Sequence, residues 1–518
     1  MNNICFICFL YIYWAINIIQ NNAHMKTINL FVLNTLFAYS LFAQERQIPI
    51  DTLVTTNHST TIKGAAVNYQ AQTGTQPVWN EDGKPIATLF YTYYKRTNDK
   101  SKAKRPIIFS FNGGPGSASV WMHVAYTGPK VLRIDSEGYP VQPYGFQTNP
   151  YSILDIADIV FINPVNTGYS RIVEYEGEKE KKETFFGINE DVKYLAEWMN
   201  TFVNRKQLWE APKYIIGESY GGTRVMGLSL ALQNQQWMYL NGVIMVSPAD
   251  YKVLRVGGPV SSALNLPYYT AAAWYHKQLP PELQNKDLTE ILPAAEKFAI
   301  DELTPALIRG GFLSLEEKQK IAKQMAFYSG LSEEVILQHN LDVPNSFFWK
   351  ELLRDEGKTI GRLDSRYTGI DKMEAGMRPD YSPELTSWLH SFTPAINHYI
   401  RKELNFKTDM KYNMFGPVRP WNNDNDNTRD NLRQAMAQNP YLEVLIQSGY
   451  YDGATTYFNA KYTQWQVDPS GKMKDRFHFE GYRSGHMMYL RREDLIKANE
   501  DLRIFIKNSA ANGKPAKY

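Results

Sequence analysis

The serine at position 219 stands in a sequence setting that can make its hydroxyl a nucleophile. Residues 217–222 read Gly-Glu-Ser-Tyr-Gly-Gly and directly follow the apolar run Tyr-Ile-Ile. A serine flanked by glycines in this way is typical of the nucleophile elbow, a strained turn from a strand into a helix that leaves little room for neighbouring Cβ atoms. In a chain with 33 glycines the same pattern is also compatible with an ordinary strand-end turn. The function of Ser219 therefore depends on whether the chain also supplies a base, an acid and an oxyanion hole.

His486 and Asp452 are the candidates for the base and for the acid that orients it. A serine hydroxyl is a weak nucleophile near neutral pH, so it needs a base within hydrogen-bond reach and a third group that fixes the tautomer of the base. His486 follows a predicted strand over residues 476–479, and Asp452 follows a predicted strand over residues 443–447. Either residue alone would fit an ordinary loop. Their order after Ser219, each at a strand end, predicts a catalytic triad.

A glycine-rich loop after an early strand is the candidate for the oxyanion hole. Residues 111–116 read Phe-Asn-Gly-Gly-Pro-Gly and follow a predicted strand that begins at residue 106. Backbone amides of this loop, together with the amide of Tyr220, would face the oxygen of a tetrahedral intermediate. A phosphate-binding loop is the alternative interpretation. The segment lacks the Lys-Ser/Thr ending of a P-loop and the spacing of a dinucleotide fingerprint.

Taken together, these segments resemble the serine carboxypeptidase family of peptidases, as a secreted, bacterial-type member. The resemblance extends from about residue 60 to the C-terminus and rests on the motifs at residues 112–116, 163–170, 217–222, 449–452 and 485–487. It implies an α/β-hydrolase fold, which is an α/β class with a mostly parallel central sheet, helices on both faces and a largely helical cap insertion. It also implies that the enzyme releases the C-terminal residue of a peptide substrate, with no cofactor and no metal.

The resemblance assigns the catalytic roles residue by residue. Ser219 would carry the acyl group, His486 would act as base and then as acid, and Asp452 would orient the imidazole. The amides of Gly114 and Tyr220 would form the oxyanion hole.

The resemblance further implies a clamp for the substrate's terminal carboxylate, formed by Asn112, the Gly113 amide and Glu218. Glu218 can face a carboxylate only when it is protonated, because two like charges in contact repel each other. This predicts tighter peptide binding in acid. Where the family usually has a second glutamate that pairs with the one before the nucleophile, this chain has Tyr126. Recognition of a peptide C-terminus is therefore left open by the sequence.

Two further functions stay open beside the carboxypeptidase. An acyl-enzyme can be resolved by an alcohol as well as by water, so an esterase or acyltransferase on the same scaffold is the second hypothesis, and Tyr126 favours it. An inactive binding protein that keeps the fold is the third hypothesis, and the complete triad disfavours it.

The elements that must position these residues follow an alternating order. Short apolar strands separated by helices predict a mostly parallel sheet covered on both faces. Apolar residues at helical spacing predict a crossover helix around residues 192–203 and a closing helix over residues 494–507. The predicted strands cover residues 106–111, 158–162, 213–217, 242–246 and 443–447, after an antiparallel lead-in over residues 60–96 with a turn at Asp82 and Gly83.

Residues 251–410 break this alternation and predict a cap. Short helical segments with proline and glycine breaks replace the strands there. We expect this insertion to lie over the carboxyl ends of the strands, where ligands bind in open α/β sheets. The core would then consist of residues 44–250 and 411–518. In its second part, residues 422–427 alternate asparagine and aspartate, which indicates a solvated loop or, as the alternative, a calcium site.

Residues 1–43 are predicted to be a leader. Met25 and Lys26 precede an apolar run that ends at Ala43, which is the order of a signal peptide, and Met25 is the expected true start. The alternative is a membrane anchor formed by residues 4–19. We expect export to the periplasm or the outside, with no stable membrane span once the leader is removed.

Composition limits the partners and the chemistry. The 518 residues include 56 basic and 53 acidic side chains, so the net charge of +3 gives no reason to expect nucleic acid as a partner. Both cysteines, Cys5 and Cys8, lie in the predicted leader. A mature chain without cysteine has no disulfide, no thiolate nucleophile and no cysteine-ligated metal. The sequence does not indicate an oligomeric state.

Overall fold

The computed structural model describes residues 47–101, 104–175, 182–249, 258–424 and 427–510, together with residues 513 and 515. The predicted leader lies outside these residues, as do the first residues of the predicted cap and residues 425–426 of the polar loop. From Ile48 onward the described residues belong to one compact unit. None of their helices is long and apolar enough to cross a membrane.

The strands of the described residues fall into one large sheet and two hairpin-like pairs. In chain order they are β1 Thr52–Ile62, β2 Ala65–Trp79, β3 Pro85–Arg96, β4 Ile107–Phe111, β5 Lys130–Leu132, β6 Phe146–Thr148, β7 Asp158–Ile162, β8 Arg171–Ile172, β9 Lys213–Glu218, β10 Gly242–Val246, β11 Thr359–Ile360, β12 Thr368–Gly369, β13 Glu443–Gly449 and β14 Phe477–Tyr482.

The large sheet has the order β1-β2-β3-β7-β4-β9-β10-β13-β14, with β8 beside β3. From β7 to β14 all neighbours are parallel, whereas β1, β2 and β3 form an antiparallel end. This confirms the predicted mostly parallel sheet. Because parallel strands end at one edge, the loops after β4, β9, β13 and β14 meet there, and these loops carry the predicted site residues.

The antiparallel end begins earlier than predicted. β1 starts at Thr52 and pairs with β2 along its whole length. The predicted turn at Asp82 and Gly83 joins β2 to β3, and Asn80 closes it, because its Oδ1 accepts from the amides of Asp82 and Lys84 at 3.1 and 2.8 Å. Gly83 has a φ of +74°, which explains the glycine at this position.

The helices include the two that the sequence predicts most clearly. The crossover helix and the closing helix are confirmed as α2 and α15, each a few residues longer than predicted. In chain order the α-helices are α1 Val120–His123, α2 Ile188–Lys206, α3 Tyr220–Gln235, α4 Pro259–Ala263, α5 Leu266–Tyr275, α6 Pro281–Gln284, α7 Leu288–Phe298, α8 Thr304–Arg309, α9 Leu315–Ser329, α10 Glu333–Gln338, α11 Asn345–Glu351, α12 Pro383–His398, α13 Thr428–Gln438, α14 Tyr457–Val467 and α15 Arg492–Ser509.

Both faces of the parallel strands are buried, so alternate residues enter different cores. In β4, Ile108 belongs to the core that contains Leu502 of α15, whereas Phe109 belongs to the core that contains Phe202 of α2. Helices therefore cover both faces of the sheet, as predicted. Every residue of β4 is buried, which is why four of its five residues are large and apolar, the exception being Ser110.

The helices of the predicted cap interval contribute to two different apolar cores. Helices α5 to α11 share a separate apolar core in which, for example, Tyr269 stacks on Phe348 with ring centroids 4.0 Å apart. Helix α12 instead places Trp388 and Phe392 in the core on the α15 face of the sheet. β11 and β12 are the short strands of this interval, and each has two residues. The domain boundaries at residues 250 and 410 stay a prediction.

Candidate active site

Ser219 occupies a strained turn between β9 and α3. Its φ of 59° and ψ of −124° lie in a backbone region that residues with a side chain rarely adopt. The turn requires glycine beside it, because a Cβ on Gly217 would lie 2.0 Å from the carbonyl oxygen of Gly221. The Ser219 amide donates to Val246 O of the neighbouring strand β10 at 2.9 Å. The predicted strand-to-helix elbow is thus present and fixed to the sheet.

The glycine loop after β4 packs directly against this elbow. A Cβ on Gly113 would lie 2.5 Å from the Tyr220 nitrogen and 2.6 Å from the Glu218 carbonyl oxygen, so only glycine allows this approach. Gly114 adopts a φ of +105°, again a conformation suited to glycine. Gly114 and Tyr220, the two predicted oxyanion donors, both line one cavity together with Ser219.

A buried arginine ties the glycine loop to the elbow helix. Arg224 of α3 donates from Nη1 to Asn112 O at 2.6 Å and from Nε to Asp191 Oδ2 of α2 at 2.7 Å. Arg224 is 0% exposed and Asp191 is 1% exposed. Tyr194 also donates to Asp191, at 2.8 Å. Sequence reasoning missed this ion pair, and its only signal is an arginine within an otherwise uncharged helix.

His486 and Asp452, the predicted base and acid, are hydrogen-bonded to each other. His486 Nδ1 donates to Asp452 Oδ2 at 2.6 Å, which leaves Nε2 as the nitrogen that can accept a proton. Asp452 is fully buried, and its Oδ1 accepts from the amides of Ala454 and Thr455 at 2.9 and 3.1 Å. The Thr455 hydroxyl contacts both partners, at 2.7 Å from Asp452 Oδ2 and 3.1 Å from His486 Nδ1. This threonine was not anticipated from the sequence.

The loop that carries His486 is hydrogen-bonded to the predicted cap interval and to the segment after β10. The His486 amide donates to Leu363 O at 2.7 Å, and the Ser247 hydroxyl donates to His486 O at 2.8 Å. Leu363 belongs to the predicted cap interval and Ser247 directly follows β10. The position of the imidazole is therefore set jointly by the sheet and by the insertion.

The pKa of His486 lies above its ordinary value. Burial lowers this pKa, but the Asp452 carboxylate and its hydrogen bond raise it by more, and the nearby Glu218 raises it further. The imidazolium that forms when His486 takes a proton is thereby stabilised.

Glu218 is a buried carboxyl group with two donors. Asn112 Nδ2 donates to its Oε1 at 2.8 Å, and the Tyr489 hydroxyl donates to its Oε2. Burial raises the pKa of Glu218 to about 7, although both hydrogen bonds and the charge of His486 act in the opposite direction. Of the predicted clamp residues, Asn112 and Glu218 are thus in direct contact, and Gly113 lines the cavity beside Glu218.

Tyr126 contacts Tyr489, which is a hydrogen-bond partner of Glu218. Its hydroxyl donates to Gln447 Oε1 at 2.6 Å, and its ring stacks on that of Tyr489 with centroids 4.8 Å apart and an interplanar angle of 7°. Tyr489, which sequence reasoning missed, is therefore the side chain that meets Glu218 Oε2. No local sequence pattern marks it, because the contact joins residues far apart in the chain.

The cavity that contains the site has a volume of about 830 Å³. Ser219, Glu218 and His486 all line it, and its walls are largely apolar. Two of its wall residues, Leu385 and Trp388, belong to α12, so part of the predicted cap interval shapes the pocket. Among the residues that the structure describes, no group of three or more His, Cys, Asp or Glu side chains is arranged to hold a metal ion. Residues 422–424 of the polar loop are exposed.

Comparison with known proteins places this geometry in context. The family model described as serine carboxypeptidase matches residues 64–486. Serine carboxypeptidase-like 36 of Arabidopsis thaliana is 30% identical over 174 residues, which cover 32% of this chain and 33% of the relative. The retinoid-inducible serine carboxypeptidase of Rattus norvegicus is 28% identical over 240 residues, which cover 45% of this chain and 47% of the relative. The alignments thus span between a third and a half of these relatives.

A solved structure shows the same fold. The crystal structure of Kex1, a prohormone-processing carboxypeptidase from Saccharomyces cerevisiae, superimposes with a TM-score of 0.50 at 16% identity. The superposition covers 86% of this chain and 93% of the yeast chain. The predicted α/β-hydrolase fold is thereby confirmed.

Proposed function

The chain belongs to the serine carboxypeptidase family, and from this premise we propose that it releases C-terminal residues from peptides through an acyl-enzyme on Ser219. The observation that carries the proposal is the buried Glu218 beside the nucleophile elbow. A carboxyl group with a pKa of about 7 is largely protonated in mild acid, and it can then donate a hydrogen bond to the free carboxylate of a peptide. An ester or an internal peptide bond has no free carboxylate to accept this hydrogen bond.

The first half of the reaction forms the acyl-enzyme. The Ser219 hydroxyl attacks the scissile carbonyl carbon while its proton passes to His486 Nε2, and Asp452 stabilises the resulting imidazolium through Nδ1. The amides of Gly114 and Tyr220 donate to the oxyanion. His486 then gives its proton to the leaving nitrogen, and the C–N bond breaks to release the terminal amino acid.

The second half returns the enzyme to its starting state. Water attacks the acyl carbon as His486 removes one of its protons, and the same proton is returned to the Ser219 oxygen as the ester bond breaks. The shortened peptide leaves with a new terminal carboxylate. The strained turn at Ser219 and the packing of Gly113 on the elbow support this assignment, because they keep the nucleophile and the oxyanion donors in fixed relative positions.

The terminal carboxylate is bound by Asn112, the Gly113 amide and Glu218, with Tyr489 fixing the second oxygen of Glu218. Tyr489 thus supplies a hydrogen bond to Glu218 in a chain that has Tyr126 in place of the usual second glutamate. The two hydrogen bonds to Glu218 support this assignment.

A matched pair of substrates tests the proposed reaction. Blocked dipeptides with a free or an amidated C-terminus are compared for kcat/KM from acid to neutral pH. Turnover of the free acids alone in mild acid is the expected result, and equal turnover of both forms would contradict the carboxypeptidase. Labelling by a fluorophosphonate, with Ser219→Ala as the control, tests the nucleophile separately, and labelling that persists in Ser219→Ala would exclude the proposed triad.

The protein is proposed to be exported by a signal peptide within residues 1–43. The order of Met25, Lys26, the apolar run and Ala43 supports this, and the family assignment is compatible with it. N-terminal sequencing of the protein recovered from cell fractions provides the test. A mature terminus near residue 44 in the exported fraction is expected, whereas an intact leader in the cytoplasm would contradict the proposal.

A further inference from the structure

Two exposed arginines line the catalytic cavity. Arg362 and Arg419 are both exposed and both belong to its lining. The one acidic residue of the lining is Glu218, which is 3% exposed and already holds two hydrogen bonds. The side chains that present charge to the open part of the cavity are therefore cationic.

The two arginines belong to different segments of the site. Arg362 directly precedes Leu363, whose carbonyl accepts from the His486 amide at 2.7 Å. Arg419 follows a segment that packs on the glycine loop, where the Gly416 amide donates to Gly116 O at 2.7 Å. One guanidinium thus belongs to the histidine side of the site and the other to the oxyanion side.

Neither guanidinium forms an ion pair or a hydrogen bond with any of the described residues. Arg366, four residues after Arg362, shows the opposite behaviour, because it is buried and paired with Asp364 at 2.6 Å. The carboxyl of Glu384 lies near Arg362, but it is buried, accepts from the Leu363 amide at 2.9 Å and has a pKa raised by burial to about 7. Arg366 is therefore neutralised by a buried carboxylate, whereas Arg362 has no such partner and lines the cavity.

Arg362 also lines a second cavity of about 530 Å³. A further arginine, Arg378, lines the same cavity. Arg378 is exposed and has no ion pair within the described ranges. The acidic residue of this cavity, Asp380, accepts from the Lys372 amide at 2.8 Å. Positive charge thus continues beyond the catalytic cavity along residues of the predicted cap interval.

We propose that Arg362 and Arg419 bind carboxylate side chains of the substrate, so that the enzyme selects peptides with aspartate or glutamate next to the scissile bond. This inference rests on the proposed carboxypeptidase function. A guanidinium presents two parallel donors that match the two oxygens of a carboxylate, and such charge-assisted hydrogen bonds are stronger than those between neutral groups. Arg378 would extend the preference to acidic residues further from the scissile bond.

The test uses isosteric substrate pairs. Blocked peptides carrying Glu or Gln at the terminal or the penultimate position are compared for kcat/KM with the full-length enzyme. At one or both positions the Glu peptide should be favoured about tenfold, as expected for a charged hydrogen bond. The preference should fall at high salt, because exposed charges are screened. Equal rates for Glu and Gln peptides at both positions would overturn the proposal.

Variants assign the preference to the two side chains. Arg362→Gln and Arg419→Gln should each reduce the Glu/Gln ratio, whereas Arg433→Gln should leave it unchanged, because Arg433 is exposed on α13 and lines neither cavity. A ratio that survives Arg362→Gln and Arg419→Gln combined would overturn the assignment.

Failure of this inference is distinguishable from failure of the proposed function. A peptide with apolar side chains at both positions reports carboxypeptidase activity independently of the arginines. Turnover of this peptide without any Glu/Gln preference would overturn the inference and leave the proposed function intact. Binding of the same Glu and Gln peptides to Ser219→Ala, measured by calorimetry, gives a second readout that does not require turnover, and equal affinities would also overturn the inference.

Discussion

The Tyr489 hydroxyl donates to Glu218 Oε2, whereas the resemblance to the serine carboxypeptidases implies a second carboxyl group as the partner of Glu218. Tyr126, which the same resemblance places at the position of that second carboxyl group, stacks against the ring of Tyr489. Burial raises the pKa of Tyr489 well above its ordinary value, so the phenol remains a donor at every pH of interest. The phenol beside Glu218 is therefore neutral, and in the proposed clamp the protonation of Glu218 decides whether it can donate to a substrate carboxylate.

Tyr489→Phe should move the pH dependence of peptide binding upward. The hydrogen bond from Tyr489 lowers the pKa of Glu218, so its removal should raise that pKa and keep the carboxyl protonated to higher pH. The KM of free-acid peptides should then remain low to a higher pH than in the wild type, while the KM of a blocked ester substrate, which has no free carboxylate, should not respond. KM measured against pH for both substrates is the readout. Tyr126→Phe is the matched control, because it keeps the ring stack and should leave the midpoint in place.

Glu218→Gln should abolish the pH dependence of KM around neutrality. In the wild type the raised pKa of about 7 means that the donor form is present below pH 7 and is lost as the pH rises through it. An amide donates at every pH, so KM for free-acid peptides should become flat. A KM that still rises through pH 7 would assign the transition to another group.

Arg224→Met should destabilise the fold and slow acylation. The substitution leaves Asp191 buried without its cation, which typically costs about 3–5 kcal/mol. It also removes the hydrogen bond to Asn112 O that fixes the glycine loop. Urea unfolding and the rate of fluorophosphonate labelling measure the two effects. The double variant Arg224→Met with Asp191→Leu should recover part of the stability but not the labelling rate, and recovery of both would show that Arg224 does not position the loop.

His123 should make the fold less stable in acid. This histidine is buried, stacks on Phe161 at 4.4 Å and contacts the Tyr94 hydroxyl through Nε2 at 2.6 Å. Burial lowers its pKa to about 3, so the unfolded chain takes up a proton near pH 6.5 while the folded chain does not. The resulting stability is complete above pH 6.5 and is lost as the pH falls towards 3, amounting to at most about 4–5 kcal/mol.

The variant that tests this effect is His123→Gln. Its urea unfolding midpoint should be lower than the wild type near neutrality and should fall less steeply between pH 6.5 and 3. His390→Gln is the matched control, since His390 is exposed on α12 and should not alter the slope. An unchanged acid slope in His123→Gln would assign the acid sensitivity to other groups.

The sequence was sufficient for those parts of the fold and site that depend on local pattern. The elbow, the glycine loop and the parallel strands were predicted because each requires particular residues at fixed spacing. The first half of β1 was not predicted, since its alternate residues from Thr52 to Ser59 are only half-buried and carry no apolar period. Its strand conformation is set by pairing with β2.

The side-chain partners of the site could not be predicted for a related reason. Tyr489 reaches Glu218 across 271 residues, and Arg224 reaches Asn112 across 112 residues. Such contacts form only when helices and strands that are distant in the chain pack together. The local sequence around one residue therefore does not indicate its partner. The same limit applies to α12. Its sequence does not distinguish it from the other helices of the predicted cap interval, although Trp388 belongs to the core on the α15 face of the sheet.

The pairing of β10 with β13 has a consequence for how the protein is made. These strands are hydrogen-bonded neighbours, with Val246 opposite Gln447, yet the entire predicted cap lies between them in the chain. Closing so long a connection is entropically costly, and such long-range pairing forms slowly. Ser219 lies before this connection, whereas Asp452 and His486 lie after it. During synthesis Ser219 is therefore translated long before Asp452 and His486, and the proposed triad is incomplete until the last strands join the sheet.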